Sequence, residues 1–341
     1  MTKAILFIIC CGLFLAGYLG TYGLRRLALA KSIIDIPNER SSHTVATPRG
    51  GGVAIVLSFI GALFVLFLFD FLLFNLFIAL LGAGVLLAVI GFLDDLGHVA
   101  ARWRLLGHFS AAIWGLYWLQ GFPPLIILGM SLDLSWAGYI LAAVYSVWLL
   151  NLYNFMDGID GLASIEAMTS CLSMAFLYWL LEFQDSAVLL IALASSVLGF
   201  LVWNFPPAKI FMGDAGSGFL GIILALLSIQ GAWLSANFFW CWIIVLGVFI
   251  VDATFTLLHR LWRKEKVYEA HRSHAYQYAA RQFNSHKKVT LAVLLINLFW
   301  LLPLALVVGL GYLDGMLTTL IAYIPLISLA VYFKAGVVEK K

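Results

Sequence analysis

Long apolar segments follow one another along almost the whole of this chain, and they constrain its fold more than any other feature. A helix needs roughly 20 apolar residues to cross the hydrocarbon core of a bilayer, and about eleven segments meet that requirement. With 63% hydrophobic and 11% charged residues, the composition excludes an ordinary soluble domain, which is about half apolar and a quarter charged. The sequence therefore predicts a single all-α polytopic membrane domain, residues 1–341, embedded in the lipid bilayer.

The predicted transmembrane helices have boundaries at the ends of the apolar segments. They run from Lys3 to Leu24, Gly50 to Phe69, Leu72 to Leu93, Leu105 to Gln120, Trp136 to Leu152, Ala163 to Leu181, Ala187 to Asn204, Ser217 to Ala232, Phe238 to Leu258, Val289 to Leu310 and Gly315 to Phe333.

The basic residues predict the orientation, because the cytoplasmic side of a membrane protein collects Lys and Arg. If the chain starts outside, all of its 20 Lys and Arg residues except Lys3 lie on the inner side. We therefore expect the N-terminus outside and the C-terminus in the cytoplasm. The basic residues serve as orientation signals and anion ligands, and no nucleic-acid partner is predicted.

Five aspartates lie in three of the predicted inner loops, at or just after the ends of membrane spans. Asp94 and Asp95 end the third span, Asp157 and Asp160 follow the fifth, and Asp214 follows the seventh. Carboxylates that converge near a membrane surface must be protonated or find a cation. Oxygen ligands suit Mg²⁺ or Mn²⁺, and Mg²⁺ usually takes one or two carboxylates together with substrate phosphates. The loops therefore predict a divalent metal and a phosphorylated substrate.

Two further inner segments are candidates for anion binding. His271-Arg272-Ser273-His274 lies in the middle of the longest inner loop, and Arg and protonated His are good donors to phosphate oxygens. The basic residues around it are also explained by contacts with lipid head groups. The first inner loop carries His43 and Arg49 before three glycines that open the second span, a favourable place for an anion. A charged loop that only sets the topology explains it equally well.

Asp252 is a separate case, because it lies inside the ninth predicted span. An ionisable residue within a membrane is costly and often functional. A structural role, with His259 as its buried partner, remains the alternative.

Together these loops resemble those of the polyprenyl-phosphate N-acetylhexosamine-1-phosphate transferase family. The resemblance covers nearly the whole chain from Asp35 to His274, and its segments occur in the family's order. They are Asp35-x-Pro37 with Arg40, His43 and Pro48-Arg49-Gly-Gly, then Asp94-Asp95, Asn151-x-x-Asn154-x-x-Asp157-Gly-Ile-Asp160-Gly, Phe211-Met-Gly-Asp214-x-Gly216 and the late histidine-rich loop.

The resemblance implies an activity and its partners. The donor would be a UDP-N-acetylhexosamine, the acceptor undecaprenyl phosphate, and the leaving product UMP, at the cytoplasmic face of a bacterial inner membrane. Magnesium would be the cofactor, and the family also suggests a homodimer.

The resemblance also implies residue roles. Asp214 would be the main Mg²⁺ ligand, and Asp157, Asp160 and Asn154 would complete the metal or donor site. Asp94, with Asp95 beside it, would contact or deprotonate the lipid phosphate. The residues expected to bind substrate are His271, Arg272 and His274 on the pyrophosphate, with Lys209, Arg49 and His43.

Departures from the family pattern bear on the donor. The pentapeptide translocases carry adjacent histidines in the late loop and a basic residue soon after the paired aspartates, whereas here Leu96, Gly97 and His98 follow. The chain is more similar to the enzymes that start O-antigen from UDP-N-acetylfucosamine or UDP-N-acetylglucosamine. The rival interpretation is a transporter or flippase of a phosphorylated or lipid-linked sugar. Its polar residues should lie near the bilayer midplane, and these acids lie at span ends.

Overall fold

A computed structural model describes residues 3–37, 42, 45–97, 99–265 and 272–337 of the chain. Within them the backbone is almost entirely helical, as expected where apolar segments must satisfy their own backbone hydrogen bonds in lipid. The helices are α1 (Lys3–Ala30), α2 (Val53–Leu68), α3 (Phe74–Leu96), α4 (Ala101–Trp118), α5 (Ser135–Met156), α6 (Leu162–Leu180), α7 (Gln184–Asn204), α8 (Asp214–Leu234), α9 (Ala236–Val245), α10 (Gly247–Trp262), α11 (Ala275–Gln282), α12 (His286–Ile296), α13 (Leu302–Gly309) and α14 (Gly315–Tyr332).

The predicted all-α polytopic membrane fold is confirmed, but the number of eleven spans is not. In the described part of the chain, 8 helices are long and apolar enough to cross a membrane, or 9 if one bent pair counts as a span. Every predicted segment is helical, yet α2 has only 16 residues. Helix α4 carries Arg102, Arg104 and His108 and does not reach the same apolarity.

The ninth predicted span is broken rather than continuous. Helices α9 and α10 meet at Leu246 with a bend of 70°. Ser170 on α6 donates a hydrogen bond of 3.1 Å to the carbonyl of Val245, one of the groups that the break exposes. The tenth span continues from α12 to α13 through a π-helical turn, Asn297–Leu301.

Helix α8 forms the centre of the bundle. It packs mainly against α3 and α5, and 83% of the residues in its most apolar 18-residue stretch are buried. Its first residue is Asp214, so the position of this carboxylate is fixed by the most enclosed helix of the protein.

Two short hairpins complete the fold. Strand β1 (Ile34–Asp35) pairs antiparallel with β2 (Thr47–Pro48), and β3 (Leu125–Ile127) pairs with β4 (Met130–Leu132). The first hairpin lies at the same end of the bundle as the start of α8, because the amide of Phe211 donates to the carbonyl of Pro48 at 2.8 Å.

Candidate active site

The acids of the three predicted loops lie around one cavity at this end of the bundle, which is called the acid cavity below. Its volume is about 230 Å³, and it is enclosed by the ends of α3 and α5, the start of α8 and the adjoining loops. Six of the predicted site residues line it, namely Arg49, Asp95, Asn154, Asp157, Asp160 and Asp214. Asp94 lies on a small neighbouring cavity that shares Asn154 and Asp214 with the first.

Asp95 holds the start of α8 in place. Its Oδ1 accepts a hydrogen bond from the amide of Asp214 at 3.1 Å, and its Oδ2 accepts one from the amide of Ala215 at 3.2 Å. The first amides of a helix have no partner within the helix, and a carboxylate there also interacts favourably with the helix dipole. Asp95 therefore caps α8 from α3 and fixes where Asp214 lies.

Asp94 is bound on both of its oxygens. Arg104 on α4 pairs with Oδ2 at 2.6 Å, and the amide of Val99 donates to Oδ1 at 2.8 Å. The side chain of Asp94 also contacts that of Asp214. These contacts hold the first carboxylate of the pair at the edge of the acid cluster.

Asp157 follows the end of α5 directly and faces the other acids. Its enclosure in the cavity removes water from the carboxylate and raises its pKa well above the usual range, and the carboxylates of Asp214, Asp95 and Asp160 raise it further. Such a group favours a proton or a cation as its partner.

Asp160 connects three segments of the chain. Its Oδ2 accepts from the amide of Ala208 at 3.0 Å, and its carbonyl accepts from the hydroxyl of Thr290 at 2.8 Å. Its Oδ1 lies 3.2 Å from Nδ1 of His286, whose Nε2 lies 3.0 Å from the carbonyl of Ser42. Asp160 thus joins the loop after α5 to the loop before α8 and to α12.

The first inner loop closes over the start of α8. The amides of Gly51 and Gly52 donate to the carbonyls of Phe211 and Met212, each at 2.9 Å. Arg49 donates to the carbonyl of Asp95, and its Nε lies 3.7 Å from the Asp95 carboxylate. The guanidinium therefore offsets part of the negative charge of the cavity.

A larger cavity, about 630 Å³, adjoins the first. The two share Ser42, Asp160, Phe211 and His286 as lining residues. Arg281 and Lys287 line only the larger one and give it a basic wall.

The remaining predicted site residues lie elsewhere or outside the described part. Lys209 is exposed, and its Nζ lies 5.4 Å from the ring centre of Trp203. The carbonyl of Arg272 accepts from Arg281, and neither Arg272 nor the buried His274 lines the acid cavity. His43 and His271 fall outside the described residues.

The residues at the site that were not predicted from the sequence include Arg104, Gln277 and His286. Arg104 pairs with Asp94, while Gln277 and His286 line the cavity. His286 contacts Asp160, which lies 126 positions away, and no local pattern marks such a contact. An arginine ten residues after Asp94 was the one available signal, since a buried carboxylate needs a counterion.

The described residues contain no group of three or more His, Cys, Asp and Glu side chains arranged to hold a metal ion. Two carboxylates with an amide oxygen and substrate phosphates would be sufficient for Mg²⁺. The donor set around Asp157, Asp214 and Asn154 has that composition, so the residues fit a metal whose coordination the substrate completes.

Comparison with known proteins identifies relatives of this chain. The model of glycosyl transferase family 4 matches residues 76–232. A probable undecaprenyl-phosphate N-acetylglucosaminyl 1-phosphate transferase of Bacillus subtilis is 30% identical over 284 residues, which cover 80% of this chain and 77% of that protein. The phospho-N-acetylmuramoyl-pentapeptide-transferase of Bacillus licheniformis is 32% identical over 69% of this chain and 75% of its own.

A third relative is the decaprenyl-phosphate N-acetylglucosaminephosphotransferase of Mycobacterium tuberculosis. It is 33% identical over 63% of this chain, and the match spans 57% of that protein. The coverage of the Bacillus subtilis relative, together with the five loop segments, means that this chain belongs to the polyprenyl-phosphate N-acetylhexosamine-1-phosphate transferase family.

Proposed function

We propose that this protein transfers N-acetylhexosamine-1-phosphate from a UDP-sugar to undecaprenyl phosphate and releases UMP. The observation that carries the proposal is an acid-lined cavity at one end of a bundle of membrane helices. A water-soluble donor and a membrane-bound acceptor can meet only at such an interface. The names of the relatives, which act on polyprenyl phosphates, support the same reaction.

In this reaction an oxygen of the lipid phosphate attacks the β-phosphorus of the donor. The bond between that phosphorus and the oxygen that bridges to UMP breaks, and UMP leaves with both electrons of the bond. Both reactants are anions, so catalysis consists largely of positioning and charge neutralisation. A lipid phosphate monoester is already mostly dianionic at neutral pH, with a second pKa of about 6, and a strong general base is not required.

Asp214 and Asp157 would hold Mg²⁺, with Mn²⁺ as the substitute, and Asn154 would complete the protein ligands. When bound, the metal would neutralise charge on the donor pyrophosphate. Asp94, held by Arg104, would orient the lipid phosphate. Asp95 would act on Asp214 through the start of α8, rather than on the substrate.

The donor would extend from the acid cavity into the larger one. The cationic residues Arg281 and Lys287, together with His286, lie on that side and suit an anionic donor. His271 would contact the pyrophosphate from the late loop, and His43 and Arg49 from the first loop, whereas neither Arg272 nor the buried His274 lines the cavity that would hold it. Lys209 lies on Trp203, next to the first helix, and would contact the donor only from outside the cavity.

The site would face the cytoplasm of a bacterial inner membrane, with the N-terminus outside and the C-terminus inside. The product would be the first lipid-linked intermediate of a cell-envelope glycan, with O-antigen as the pathway and a homodimer as the assembly. The transporter alternative is not favoured, because the acids line the ends of α3, α5 and α8 rather than the break between α9 and α10.

The proposal is tested by measuring UMP release from a panel of UDP-N-acetylhexosamines by purified protein in detergent. We expect release from one donor, and only when both undecaprenyl phosphate and Mg²⁺ are present. Release that does not depend on the lipid, or none with any donor from folded protein, would contradict it.

The raised pKa of Asp157 leads to a prediction about metal binding and pH. A proton and Mg²⁺ compete for this carboxylate, so metal binding should release protons, and metal affinity should fall as the pH is lowered from neutral toward the usual carboxylate range near pH 4. Calorimetry in two buffers of different ionisation enthalpy measures the released protons. Asp157→Asn should reduce that release, and an unchanged proton count in this variant would contradict the assignment.

A further inference from the structure

Asp252 is a buried carboxylate that the proposed reaction leaves unused. It lies on α10, within the broken ninth span, and is 6% exposed. A charged group in such a position is costly unless it is paired and hydrogen-bonded. His259, the partner considered from the sequence, instead contacts the carbonyl of Ala335 at 2.7 Å.

The carboxylate of Asp252 binds the start of α11. Its Oδ1 accepts from the amide of Ala275 and its Oδ2 from the amide of Tyr276, each at 2.9 Å. These are the first two residues of the helix, whose amides have no partner within it. Asp252 therefore caps α11 from α10, as Asp95 caps α8 from α3. Thr256 donates a further hydrogen bond to Oδ1 at 3.1 Å.

Asp252 also fixes the ring of His274, the residue just before α11. Nδ1 of His274 lies 3.2 Å from Oδ1 of Asp252, within hydrogen-bond distance. The ring packs against those of Phe155 and Tyr276, with centroid distances of 6.4 and 5.6 Å. The plane of the imidazole is thereby set.

The other side of α11 contacts the acid cavity. The hydroxyl of Tyr276 donates to the carbonyl of Phe155 at 2.9 Å, and Gln277 lines the cavity together with Asp157 and Gly158. A Cβ at Gly158 would lie 2.1 Å from the Tyr276 hydroxyl and 3.2 Å from Nε2 of Gln277. The helix is thus held between Asp252 and the loop that carries Asp157, with no space left on the loop side.

We propose that Asp252 is a positioning residue for the UDP-sugar: by capping α11 and orienting His274, it places Gln277 in the wall of the acid cavity. The inference rests on the proposed transferase function. The same arrangement would then occur twice in the chain. Asp95 on α3 caps α8, which begins with Asp214, and Asp252 on α10 caps α11, which lies beside the loop of Asp157.

The test is steady-state kinetics of Asp252→Asn with each substrate varied in turn. An amide would present N–H groups to the amides of α11, so we expect KM for the UDP-sugar to rise at least about tenfold, with a smaller change in kcat and an unchanged KM for the lipid phosphate. Thr254→Val is the matched control, because it makes an isosteric substitution on the same helix at a hydroxyl that is not hydrogen-bonded to Asp252, and it should keep the wild-type KM. A merely structural role would lower the active fraction without changing the KM for either substrate.

A second pair of variants, for use if Asp252→Asn does not fold, changes the contact between α11 and the loop that carries Asp157. Gly158→Ala should raise the KM for the UDP-sugar, and Tyr276→Phe in the same chain should restore part of the loss by removing the nearest atom. An active Asp252→Asn or Gly158→Ala enzyme with wild-type KM for the donor would overturn the inference alone. A wild-type enzyme that releases no UMP would overturn the proposed function, and the inference with it.

Discussion

Asp214→Asn is expected to lower UMP release by about 100- to 1,000-fold, the usual effect of removing one strong electrostatic contributor from an active site. Asp214 is the first residue of the most enclosed helix, and its carboxylate is shared by both acid-lined cavities. The substitution preserves the side-chain volume and removes the charge on which the proposed metal site depends. Rates are compared at equal concentrations of folded protein and at saturating Mg²⁺.

The matched control is Asp185→Asn. Asp185 is an exposed acid in the first turn of α7, outside the residues that line the acid cavity. It should retain wild-type activity. Equal loss in both variants, or near-normal activity of Asp214→Asn, would show that the acid cluster is not the catalytic site.

Gly91→Ala is expected to lower activity by about 100-fold while leaving the protein folded, because a displacement of about 1 Å at a reacting centre can cost that much. A Cβ at Gly91 would lie 2.4 Å from the carbonyl oxygen of Asp214 and 2.5 Å from the amide of Ala215. These are backbone atoms, so α3 and the start of α8 must move apart. The movement would also break the cap that Asp95 gives to α8.

Gly61→Ala in α2 is the control for the glycine substitution itself, since a Cβ there would meet no atom within 4 Å. Thermal unfolding in detergent should show that Gly91→Ala lowers the free energy of unfolding by about 1–3 kcal/mol, the usual cost of overpacking. Gly61→Ala should leave the free energy of unfolding nearly unchanged. Full activity of Gly91→Ala would mean that the position of Asp214 relative to Asp95 does not matter for the reaction.

The helical segments and the acid loops were predictable from the sequence for a simple physical reason. A membrane span can be identified from its own apolar residues, without knowledge of the helices that pack against it. An acidic residue at the end of such a span is equally easy to identify, because its neighbours in the sequence are apolar. The 70° break at Leu246 was not predictable, because the apolar run continues through it. What satisfies the exposed carbonyl of Val245 is Ser170, on a different helix.

The roles within the paired aspartates show the same limit. Asp94 and Asp95 are adjacent, and the sequence treats them alike. In the fold one pairs with Arg104, and the other caps α8. The distinction comes from which way each side chain points from α3, and it depends on the packing of α4 and α8 around that helix.

For Asp252 the sequence left two alternatives open, a functional role and a structural role with His259 as its partner. His259 lies two helical turns away and was the local candidate, whereas the actual partner is His274, beyond the end of α10. Long-range pairing of this kind follows from the return of the chain to form α11. The burial of an acid within a span indicated only that some partner must exist.

The central claim is that the sugar and its phosphate move together, and a donor labelled with radioactive phosphorus in the β-phosphate tests it most directly. After reaction of the purified protein with undecaprenyl phosphate and Mg²⁺, the organic phase is separated and counted. The account predicts that the label enters the lipid phase together with the sugar and that the UMP left in water is unlabelled. Label that stays in water as UDP while the sugar enters the lipid would show glycosyl transfer instead, and would contradict the account.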